Sequence, residues 1–323
     1  MNSRVNSVTS GNMVNVDLSE VTVLIPTLNE AKAIGYVIDE VIGVGVPPGN
    51  ILVVDGGSSD ETVKIAESKG VRVVYQEGFG KAMAIKTGLK HVNTSFLVVM
   101  DGDYTYPAKY IPVLVSRLKT GECDLVIGAR IQGKEAQRFL FRLGNKVLTL
   151  IFNTLFGTRL RDVLSGMYAA KTSELRRVEF EMAGFSVESE IVTHFADTGR
   201  VCEELIEYRP RLDPKSKKLR VIHGFKIVWD IVRLTWRYNP VFFIFMLGSL
   251  LLIPGLALGA YVAYHYFFTG IKYYVKGLIA IMLTLAGFQS LIAAILALYL
   301  KRAEKRYRQY VEELIKHVTK HSA

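Results

Sequence analysis

The segment Phe96-Leu97-Val98-Val99-Met100-Asp101-Gly102-Asp103 decides how this sequence folds. Five apolar residues run directly into two carboxylates that are separated by a single glycine. A short apolar run with β-branched residues is typical of a strand buried inside a sheet. Oxygens of Asp101 and Asp103 can reach one divalent cation, although an isolated pair of this spacing is more often a solvated turn. The segment predicts a buried strand with a candidate metal site at its end.

Similar apolar runs occur on both sides of this segment. The sequence predicts strands over Val21–Ile25, Ile51–Val54, Val71–Tyr75, Phe96–Met100 and Leu125–Ile127. Helical spacing of apolar residues predicts helices over Ile34–Val41, Thr62–Ala66 and Lys81–Leu89, between those strands. Short strands that alternate with amphipathic helices indicate βαβ units. We therefore predict an α/β fold whose mostly parallel sheet is flanked by helices.

Polar residues collect where these strands end. They are Thr27, Asn29 and Glu30 after the first strand, Asp55 after the second, Asp101 and Asp103 after the fourth, and Arg130 after the fifth. In a parallel sheet the carboxyl ends of the strands share one edge, and ligands bind beyond that edge. The sequence therefore predicts a binding site there, and this position favours the metal interpretation of Asp101 and Asp103.

The composition excludes several classes of protein. A chain that is 50% hydrophobic and only 22% charged cannot be mainly disordered. Two cysteines, Cys123 and Cys202, cannot build a disulfide framework or a four-thiol zinc site, and we expect them to be free thiols in a reducing compartment. No glycine follows Gly45 at the spacing of a dinucleotide-binding motif, and no phosphate-loop motif occurs.

Two long runs near the C-terminus contain no charged residue. Each run exceeds the roughly 20 residues that a helix needs to span a bilayer. Buried helices of a soluble core are the alternative, but two such runs in tandem favour a membrane hairpin. We predict spans over Val241–Phe267 and Gly277–Leu300, with a kink at Pro254 in the first.

Basic residues flank this hairpin on one side of the membrane. Arg220, Lys226, Arg233 and Arg237 precede it, Lys301, Arg302, Lys305, Arg306 and Arg308 follow it, and the connecting loop carries Lys272 and Lys276. The positive-inside rule places both ends of the hairpin in the cytosol. The net charge of +10 therefore indicates anionic lipid rather than nucleic acid as the partner.

This pattern predicts five segments in a multi-pass protein of the cell membrane with a cytosolic catalytic domain. They are a polar tail without a signal peptide (1–20), a catalytic domain (21–219), a juxtamembrane amphipathic helix (220–240), the hairpin (241–300) and a basic cytosolic tail (301–323).

Several motifs occur in a fixed order between residues 21 and 219. They are Pro26-Thr27-Leu28-Asn29-Glu30, the run from Val53 to Thr62 around Asp55-Gly56-Gly57-Ser58, Gly80-Lys81, Thr87-Gly88-Leu89, Asp101-Gly102-Asp103, Gly128-Ala129-Arg130, Arg142-Leu143-Gly144-Asn145, Asp162-Val163-Leu164-Ser165-Gly166, and Phe185 with Glu188 and Glu190. This ordered set resembles the family 2 glycosyltransferases. The later motifs and the hairpin resemble its polyprenyl-phosphate branch, the dolichyl-phosphate mannose synthases and their glucose-transferring relatives. The resemblance implies a GT-A type fold that binds a nucleotide sugar.

The resemblance also implies a reaction, in which one sugar passes from a nucleotide diphosphate to dolichyl or polyprenyl phosphate with inversion. Matching donor-binding positions are Pro26, Thr27, Asn29, Glu30, Asp55, Lys81, Asp101 and Gly102. Asp101 and Asp103 match the ligands of Mg²⁺ or Mn²⁺. The chain departs from the family at Thr105, where many mannose synthases have a glutamine, and at Gly56, where relatives often have an aspartate.

The acceptor implied by the resemblance is a lipid phosphate. Such a phosphate is already a nucleophile at neutral pH, so that the enzyme needs cationic positioning more than a strong base. Matching acceptor-phosphate positions are Arg130, Arg142, Asn145, Asp162 and Ser165. The residues expected to carry catalysis are Asp101, Asp103, Arg130 and Arg142.

Two amphipathic segments are candidates for contact with the membrane. In Phe139–Phe156 the residues Arg142, Asn145, Lys146, Thr149 and Asn153 share one helical face. Phe225–Tyr238 carries both tryptophans, Trp229 and Trp236, among basic residues. Covering the sheet core is the alternative for both segments. By resemblance, Glu188 and Glu190 lie near the sugar, and Ser216 and Lys217 belong to a loop near the diphosphate.

Other functions remain as alternatives at this point. A processive polysaccharide synthase resembles this domain, but the chain has no Gln-x-x-Arg-Trp motif. A catalytically inactive nucleotide-sugar sensor is disfavoured by the presence of Asp101, Asp103, Arg130 and Arg142. The sugar and the nucleotide of the donor stay open: mannose from GDP, and glucose or an N-acetylhexosamine from UDP, all fit.

Overall fold

The structure is a computed structural model that describes residues 16–131, 139–180, 187–212 and 240–321, together with 229–230, 232–233 and 235–236. Most of the predicted N-terminal tail, Ser216, Lys217 and most of the predicted juxtamembrane helix lie outside these residues. The chain divides into two compact units, Met1–Leu234 and Thr235–Ala323, which are described separately below.

The first unit is built on a sheet of seven strands. They are β1 (Val21–Thr27), β2 (Ile51–Asp55), β3 (Arg72–Tyr75), β4 (Phe96–Val99), β5 (Leu125–Ile131), β6 (Tyr168–Lys171) and β7 (Val201–Glu207). Their order across the sheet is β3-β2-β1-β4-β6-β5-β7. All neighbours run parallel except β6, which is antiparallel to both β4 and β5. The predicted mostly parallel α/β fold is confirmed.

Seven α-helices lie between these strands in the part of the chain that the structure describes. They are α1 (Ile34–Gly43), α2 (Thr62–Ser68), α3 (Lys81–Lys90), α4 (Ile111–Lys119), α5 (Phe139–Phe156), α6 (Thr172–Leu175) and α7 (Val187–Thr198). The predicted strands and helices up to β4 agree with these bounds within three residues. The sequence prediction missed β6 and β7.

The core lies on both faces of the sheet because side chains alternate along each buried strand. On β1, Val23 and Ile25 belong to the cluster beneath α1 and α4, whereas Leu24 belongs to the cluster beneath α3, α5 and α7. All three side chains are fully buried. A sheet covered on both faces leaves only its edges and its strand ends for ligands.

The fifth strand is longer than predicted, which changes the position of Arg130. The sequence predicted a strand that ends at Ile127, with Arg130 in the following loop. β7 pairs with β5 along its whole length, and Arg130 lies opposite Ile206. The continuous pairing extends β5 to Ile131, so that Arg130 is a residue of the strand.

The expectation of two free thiols is wrong. Cys123 and Cys202 form a disulfide, with their Cα atoms 5.9 Å apart and their positions separated by 79 in sequence. The bond joins the turn before β5 to β7, the outermost strand of the sheet. Sequence spacing alone gives no indication of a pairing that depends on a strand the prediction missed.

The second unit is a pair of long helices, α8 (Pro240–Tyr264) and α9 (Tyr274–His321). Length and composition make Pro240–Thr269 and Tyr274–Leu300 candidate membrane spans. Glycines allow the helices to approach closely: a Cβ at Gly255 would lie 2.7 Å from the backbone nitrogen of Thr284. Pro254 lies inside α8, and α9 continues without a break into the segment predicted as a basic tail.

Candidate active site

The first wall of the site is formed by the adjacent ends of β1 and β2. Thr27 and Asp55 lie opposite each other in the sheet. The Asp55 carboxylate is almost fully buried and accepts hydrogen bonds from the backbone N–H groups of Gly57 and Ser58, both at 2.8 Å. The Ser58 hydroxyl donates to its other oxygen at 2.5 Å. Asp55 is therefore held rigidly at the edge where a ligand is expected.

Asn29 and Glu30 continue this wall. Asn29 adopts a φ of 54°, and its side-chain oxygen accepts the Ser59 N–H at 2.8 Å. The Glu30 side chain is buried, and its backbone N–H donates to the Thr62 hydroxyl at 2.8 Å. Asp60 accepts the N–H of Thr62, the first residue of α2, at 3.0 Å.

Asp101 lies in a group of charged side chains beyond β4. Its Oδ1 accepts a hydrogen bond from Lys81 Nζ at 2.5 Å, and the same ammonium is 2.6 Å from Glu188 Oε1. Behind Asp101 is Gly166, where an added Cβ would lie 2.2 Å from Asp101 Oδ2. Asp101 can occupy this position only because residue 166 has no side chain.

Burial and charge set the protonation of this group. Burial alone would lower the pKa of Lys81, but Asp101 and Glu188 hold it well above its ordinary value. Burial raises the pKa of Glu188 above its ordinary value despite the neighbouring ammonium. The buried Tyr168 hydroxyl lies near the same charges and has no hydrogen-bond partner among the described residues.

Asp103 is held from both sides. The backbone N–H and the hydroxyl of Thr105 donate to its Oδ1 at 3.1 and 2.5 Å. Arg211, from the segment after β7, donates to its Oδ2. Only 3% of the Asp103 side chain is exposed, so that this guanidinium provides its main counter-charge.

The chemistry of these residues fits a divalent metal. Oxygen ligands from two carboxylates suit Mg²⁺ or Mn²⁺. Lys81 and Arg211 hold positive charge against the two carboxylates, as a cation bound between them would. Thr105 stands where many mannose synthases have a glutamine. Its hydroxyl donates a hydrogen bond to Asp103. It supports the carboxylate in this structure.

Three of the predicted acceptor residues, Arg130, Asn145 and Asp162, form a second buried network. Arg130 donates from Nε and Nη2 to the two oxygens of Asp162 at 2.6 and 2.8 Å. Asn145 donates to Asp162 Oδ1 at 2.9 Å. Burial alone would raise the pKa of Asp162, but Arg130 holds it below its ordinary value. Ser165 donates its hydroxyl to the carbonyl of Gly128.

This network changes what Arg130 can do. The sequence placed its planar fork on the acceptor phosphate, whereas in the structure that fork is paired with Asp162. Arg130 Nη2 also donates to the Leu164 carbonyl at 3.1 Å, and the guanidinium lies over the Tyr208 ring at 5.3 Å. Arg130 therefore orders the segment before β6, and contact with an acceptor remains a prediction for its other nitrogen, Nη1.

Comparison with known proteins identifies the family. Residues 22–178 match the family described as glycosyl transferase family 2. Over 299 residues the chain is 31% identical to the glycosyltransferase AglJ of Haloferax volcanii, and the match covers 91% of this chain and 98% of AglJ. The chain belongs to glycosyltransferase family 2.

Further similarities fit this assignment. The glycosyltransferase is 31% identical over 210 residues to the dolichyl-phosphate hexose transferase of Haloferax volcanii. The match covers 62% of this chain and 90% of that protein. Its fold is similar to that of glucosyl-3-phosphoglycerate synthase from Mycobacterium tuberculosis, solved in complex with Mn²⁺, uridine diphosphate and phosphoglyceric acid. The TM-score is 0.57 and the sequence identity is 22%. The match covers 68% of this chain and 78% of that chain. The predicted family, enzyme class and GT-A fold are confirmed.

The site of the glycosyltransferase includes residues that the sequence prediction missed. Glu203 on β7 accepts the backbone N–H of Arg161 at 2.7 Å and that of Asp162 at 3.0 Å. It thereby fixes the segment that carries Asp162. Burial raises the pKa of Glu203 above its ordinary value, and these two N–H donors oppose the shift. The sequence gave no signal for Glu203 because its strand was not predicted.

A second feature of the site is the segment Tyr208–Arg211, which we call the strap. The Tyr208 ring contacts Tyr106 with the ring centroids 5.3 Å apart. The Arg209 N–H donates to the Thr105 carbonyl at 2.9 Å, and its guanidinium pairs with Glu40 at 2.7 Å. The strap thus runs along the turn that contains Asp103.

Arg142 and its helix differ from the expectation. The predicted polar face of α5 is not simply solvent-exposed, since Asn145 and Thr149 are buried. Leu143, Val147 and Leu150 are exposed instead, the last by 65%. Arg142 is half-buried and makes no ion pair with any residue that the structure describes. Of the two predicted acceptor arginines, Arg142 is therefore the one whose charge is not paired with a described carboxylate.

Proposed function

We propose that this glycosyltransferase transfers one hexose from a nucleotide-diphosphate sugar to dolichyl or polyprenyl phosphate, with inversion and with a divalent cation, at the cytosolic face of a membrane. The observation that carries the proposal is the pair Asp101 and Asp103 at the carboxyl edge of the sheet, each held by a protein cation. The relative named dolichyl-phosphate hexose transferase supports the lipid-phosphate acceptor.

The donor side is assigned to the ends of β1, β2 and β4. Asp55 and Asn29 are immobilised by backbone and hydroxyl donors, which suits a wall that binds a nucleoside without rearrangement. Pro26, Thr27, Glu30 and Gly102 line the same edge. Asp101 and Asp103 would hold Mg²⁺ or Mn²⁺, which when bound would stabilise the charge that develops on the departing nucleoside diphosphate.

On the acceptor side, positioning matters more than proton removal. A phosphate monoester already carries between one and two negative charges at neutral pH. Arg142, which makes no ion pair within the described part of the chain, can offer a charge-assisted, two-pronged contact to such a group. Asp162, Arg130 and Asn145 form a hydrogen-bonded support, and Asn145 lies one turn from Arg142 on α5. Ser165 extends this support through the Gly128 carbonyl.

The membrane supplies the acceptor in this proposal. The two candidate spans in α8 and α9 are flanked by basic residues at their outer ends. The positive-inside rule then favours both ends of the hairpin in the cytosol. A polyprenyl chain stays in the bilayer, so that a catalytic unit tethered to the same bilayer meets its acceptor at high local concentration.

One assay tests the proposal. The purified full-length protein in detergent is incubated with dolichyl phosphate, Mn²⁺ and a panel of labelled nucleotide sugars that includes GDP-mannose, UDP-glucose and UDP-N-acetylglucosamine. We expect one of these sugars to appear on the lipid and the transfer to stop in excess EDTA. Asp103→Ala should abolish turnover while circular dichroism shows a folded protein. Full transfer in EDTA would refute the metal assignment.

A second measurement separates the two substrates. Losing a charge-assisted contact to phosphate costs about 1.5–3 kcal/mol, so that Arg142→Ala should raise the acceptor KM or lower kcat roughly ten- to a hundredfold. Calorimetry with nucleotide and Mn²⁺ should show unchanged donor affinity. Arg142→Lys should restore only part of the activity, because an ammonium cannot replace the planar fork. An equal loss of donor binding would assign Arg142 to the donor side.

A further inference from the structure

The strap brings a positive charge into the proposed metal site. Tyr208 and Arg209 anchor it by a ring contact, a backbone hydrogen bond and the ion pair with Glu40. Two residues beyond this anchor, Arg211 forms its ion pair with Asp103. None of these three contacts is made to the Asp103 carboxylate itself, so that the ion pair can break while the strap keeps its anchor.

Arg211 and Lys81 differ in how firmly they are held. The Lys81 side chain is 18% exposed, and its ammonium is shared between Asp101 and Glu188, so that losing Asp101 leaves it one buried partner. The Arg211 side chain is 28% exposed, and its guanidinium also lies near the buried carboxylate of Glu30. Of the two cations, Arg211 has the more open route to solvent.

We propose that Arg211 is an internal counter-ion of Asp103, which a divalent cation must displace, and that this displacement couples metal binding to binding of the donor diphosphate. The inference rests on the proposed function in placing the metal at Asp101 and Asp103. It adds a role for Arg211, to which the sequence analysis assigned none, and an order to the assembly of the site.

The energetic basis is competition for one carboxylate. Asp103 is almost fully buried, so that an unpaired charge there is costly, and Arg211 keeps the residue neutralised before metal arrives. A cation that binds Asp103 must first break this pair. When the competent state is only a fraction of the population, the apparent affinity falls by the same fraction. Metal alone therefore binds weakly.

The donor diphosphate reverses this balance. A displaced Arg211 remains tethered next to the strap anchor, where it is repelled by the divalent cation. A diphosphate carries negative charge that can contact the metal and a guanidinium together. Each ligand then strengthens binding of the other by the same factor, because the coupling free energy is reciprocal. Arg211 is a positioning residue in this scheme.

Metal titrations without any sugar or lipid test the inference. The full-length protein in detergent is titrated with Mn²⁺, and bound Mn²⁺ is followed by electron paramagnetic resonance, first alone and then with UDP or with GDP. Arg211→Ala is compared with Lys109→Ala. Lys109 is a matched control because it is also paired with a carboxylate, Glu207 at 2.7 Å, but at an exposed position.

We expect Arg211→Ala to bind Mn²⁺ alone about tenfold more tightly than the wild type, and Lys109→Ala to bind it as the wild type does. The increase in Mn²⁺ affinity on adding nucleotide should be large in the wild type and small in Arg211→Ala. Arg211→Lys should lie between the two. Melting curves by circular dichroism establish that each variant is folded, and Arg211→Lys serves if Arg211→Ala is not.

Two outcomes would overturn the inference in distinguishable ways. If Arg211→Ala, or Arg211→Lys in its place, binds Mn²⁺ alone no more tightly than the wild type, Arg211 does not compete with metal, and the proposed function stands. If no variant binds Mn²⁺ even with nucleotide, the metal site itself is wrong, and the proposed function falls with the inference.

Discussion

Gly166 shows how a single missing side chain shapes the site. An alanine Cβ would lie 2.2 Å from Asp101 Oδ2 and 2.7 Å from Asp101 Cγ, far inside contact distance. The carboxylate cannot simply swing away, because Lys81 holds its other oxygen. We expect Gly166→Ala to displace Asp101 and to lower both Mn²⁺ affinity and turnover by at least about tenfold, with a cost to folding of about 1–3 kcal/mol.

Gly144 provides the matched control for this substitution. It lies on α5, and an added Cβ there would meet no atom within 4 Å. Gly144→Ala should therefore keep wild-type turnover and gain up to about 1 kcal/mol of stability, since alanine favours a helix. Equal activity of the two variants would show that the position of Asp101 is unimportant.

Asp162 is the residue on which the second network depends. Asp162→Asn keeps the size of the side chain but leaves the buried guanidinium of Arg130 without its counter-charge. Breaking a buried ion pair from one side costs roughly 3–5 kcal/mol, and an amide that still accepts one hydrogen bond should place the loss near the lower value. Chemical denaturation at neutral pH measures this loss. A change below about 1 kcal/mol would mean that Arg130 finds another partner.

The pH dependence of this difference follows from the direction of the shift. The pKa of Asp162 is lower in the folded protein than in the unfolded chain. Its carboxylate therefore contributes stability fully above the unfolded pKa of about 4, and that contribution is lost as the pH falls through the folded pKa. The stability gap between wild type and Asp162→Asn should shrink as the pH is lowered below about 4.

At this scale the sequence located residues that follow strongly apolar strands, and their roles as ligands stay predictions. Asp55, Asp101 and Asp103 were found in this way. Arg211 was missed because it reaches Asp103 from 108 positions away, through a strap whose preceding strand was not predicted. Partners of this kind depend on tertiary packing, which a local pattern does not contain.

At the scale of elements, α5 departs most from its predicted orientation. Its amphipathic pattern correctly gave a helix over Phe139–Phe156. The pattern does not say which face is buried. In the structure Asn145 is buried and donates a hydrogen bond to Asp162, whereas Leu143, Val147 and Leu150 are exposed. An exposed apolar stripe beside the basic Lys146 suits the surface of an anionic membrane.

The stripe can be tested by charge. Leu150→Glu should lower transfer to long-chain polyprenyl phosphate in liposomes about tenfold, because a buried carboxylate is costly in lipid, and leave transfer to a short-chain, water-soluble acceptor unchanged. Thr154→Glu adds the same charge one turn away on the same exposed face of α5, and it should likewise lower transfer in liposomes while leaving the short-chain acceptor unaffected. Equal losses with both acceptors would indicate that Leu150 supports the fold.

The disulfide between Cys123 and Cys202 is expected to stabilise β7 on the sheet. The disulfide closes a loop of 79 residues, which corresponds to about 4 kcal/mol of stabilisation in the loop-entropy view. Reductant should therefore lower the melting temperature of the catalytic unit by about 10 °C. A Cys123→Ser/Cys202→Ser double variant should have the lower melting temperature both with and without reductant. An unchanged melting curve with both thiols alkylated would contradict a structural role.

β6 explains why the sheet could not be fully predicted. Tyr168-Ala169-Ala170-Lys171 is too short and too weakly β-branched to read as a strand. Its pairing with β4 spans roughly seventy residues, and its antiparallel direction interrupts the βαβ pattern. That direction is what carries Asp162, Ser165 and Gly166 to the edge where β1, β2 and β4 end.

At the scale of the whole molecule, the hairpin is predicted to have both ends in the cytosol. Introduced cysteines test this orientation in a Cys123→Ser/Cys202→Ser background. Ile271→Cys lies in the connecting loop and should be labelled by an impermeant reagent in intact cells, whereas Tyr310→Cys should need permeabilisation. Both side chains are exposed, so that accessibility is set by topology. The reverse labelling pattern would show that the protein has the opposite orientation in the membrane.

α9 also acts as a spacer of fixed length. The residues after Leu300 continue the same helix to His321, and at about 1.5 Å per residue they extend roughly 30 Å. With the first part of α9 held in a bilayer, this rod sets the height of its own tip above the lipid headgroups. A fluorophore attached at His321 would therefore serve as a ruler, reporting membrane distance by energy transfer whatever the state of the active site.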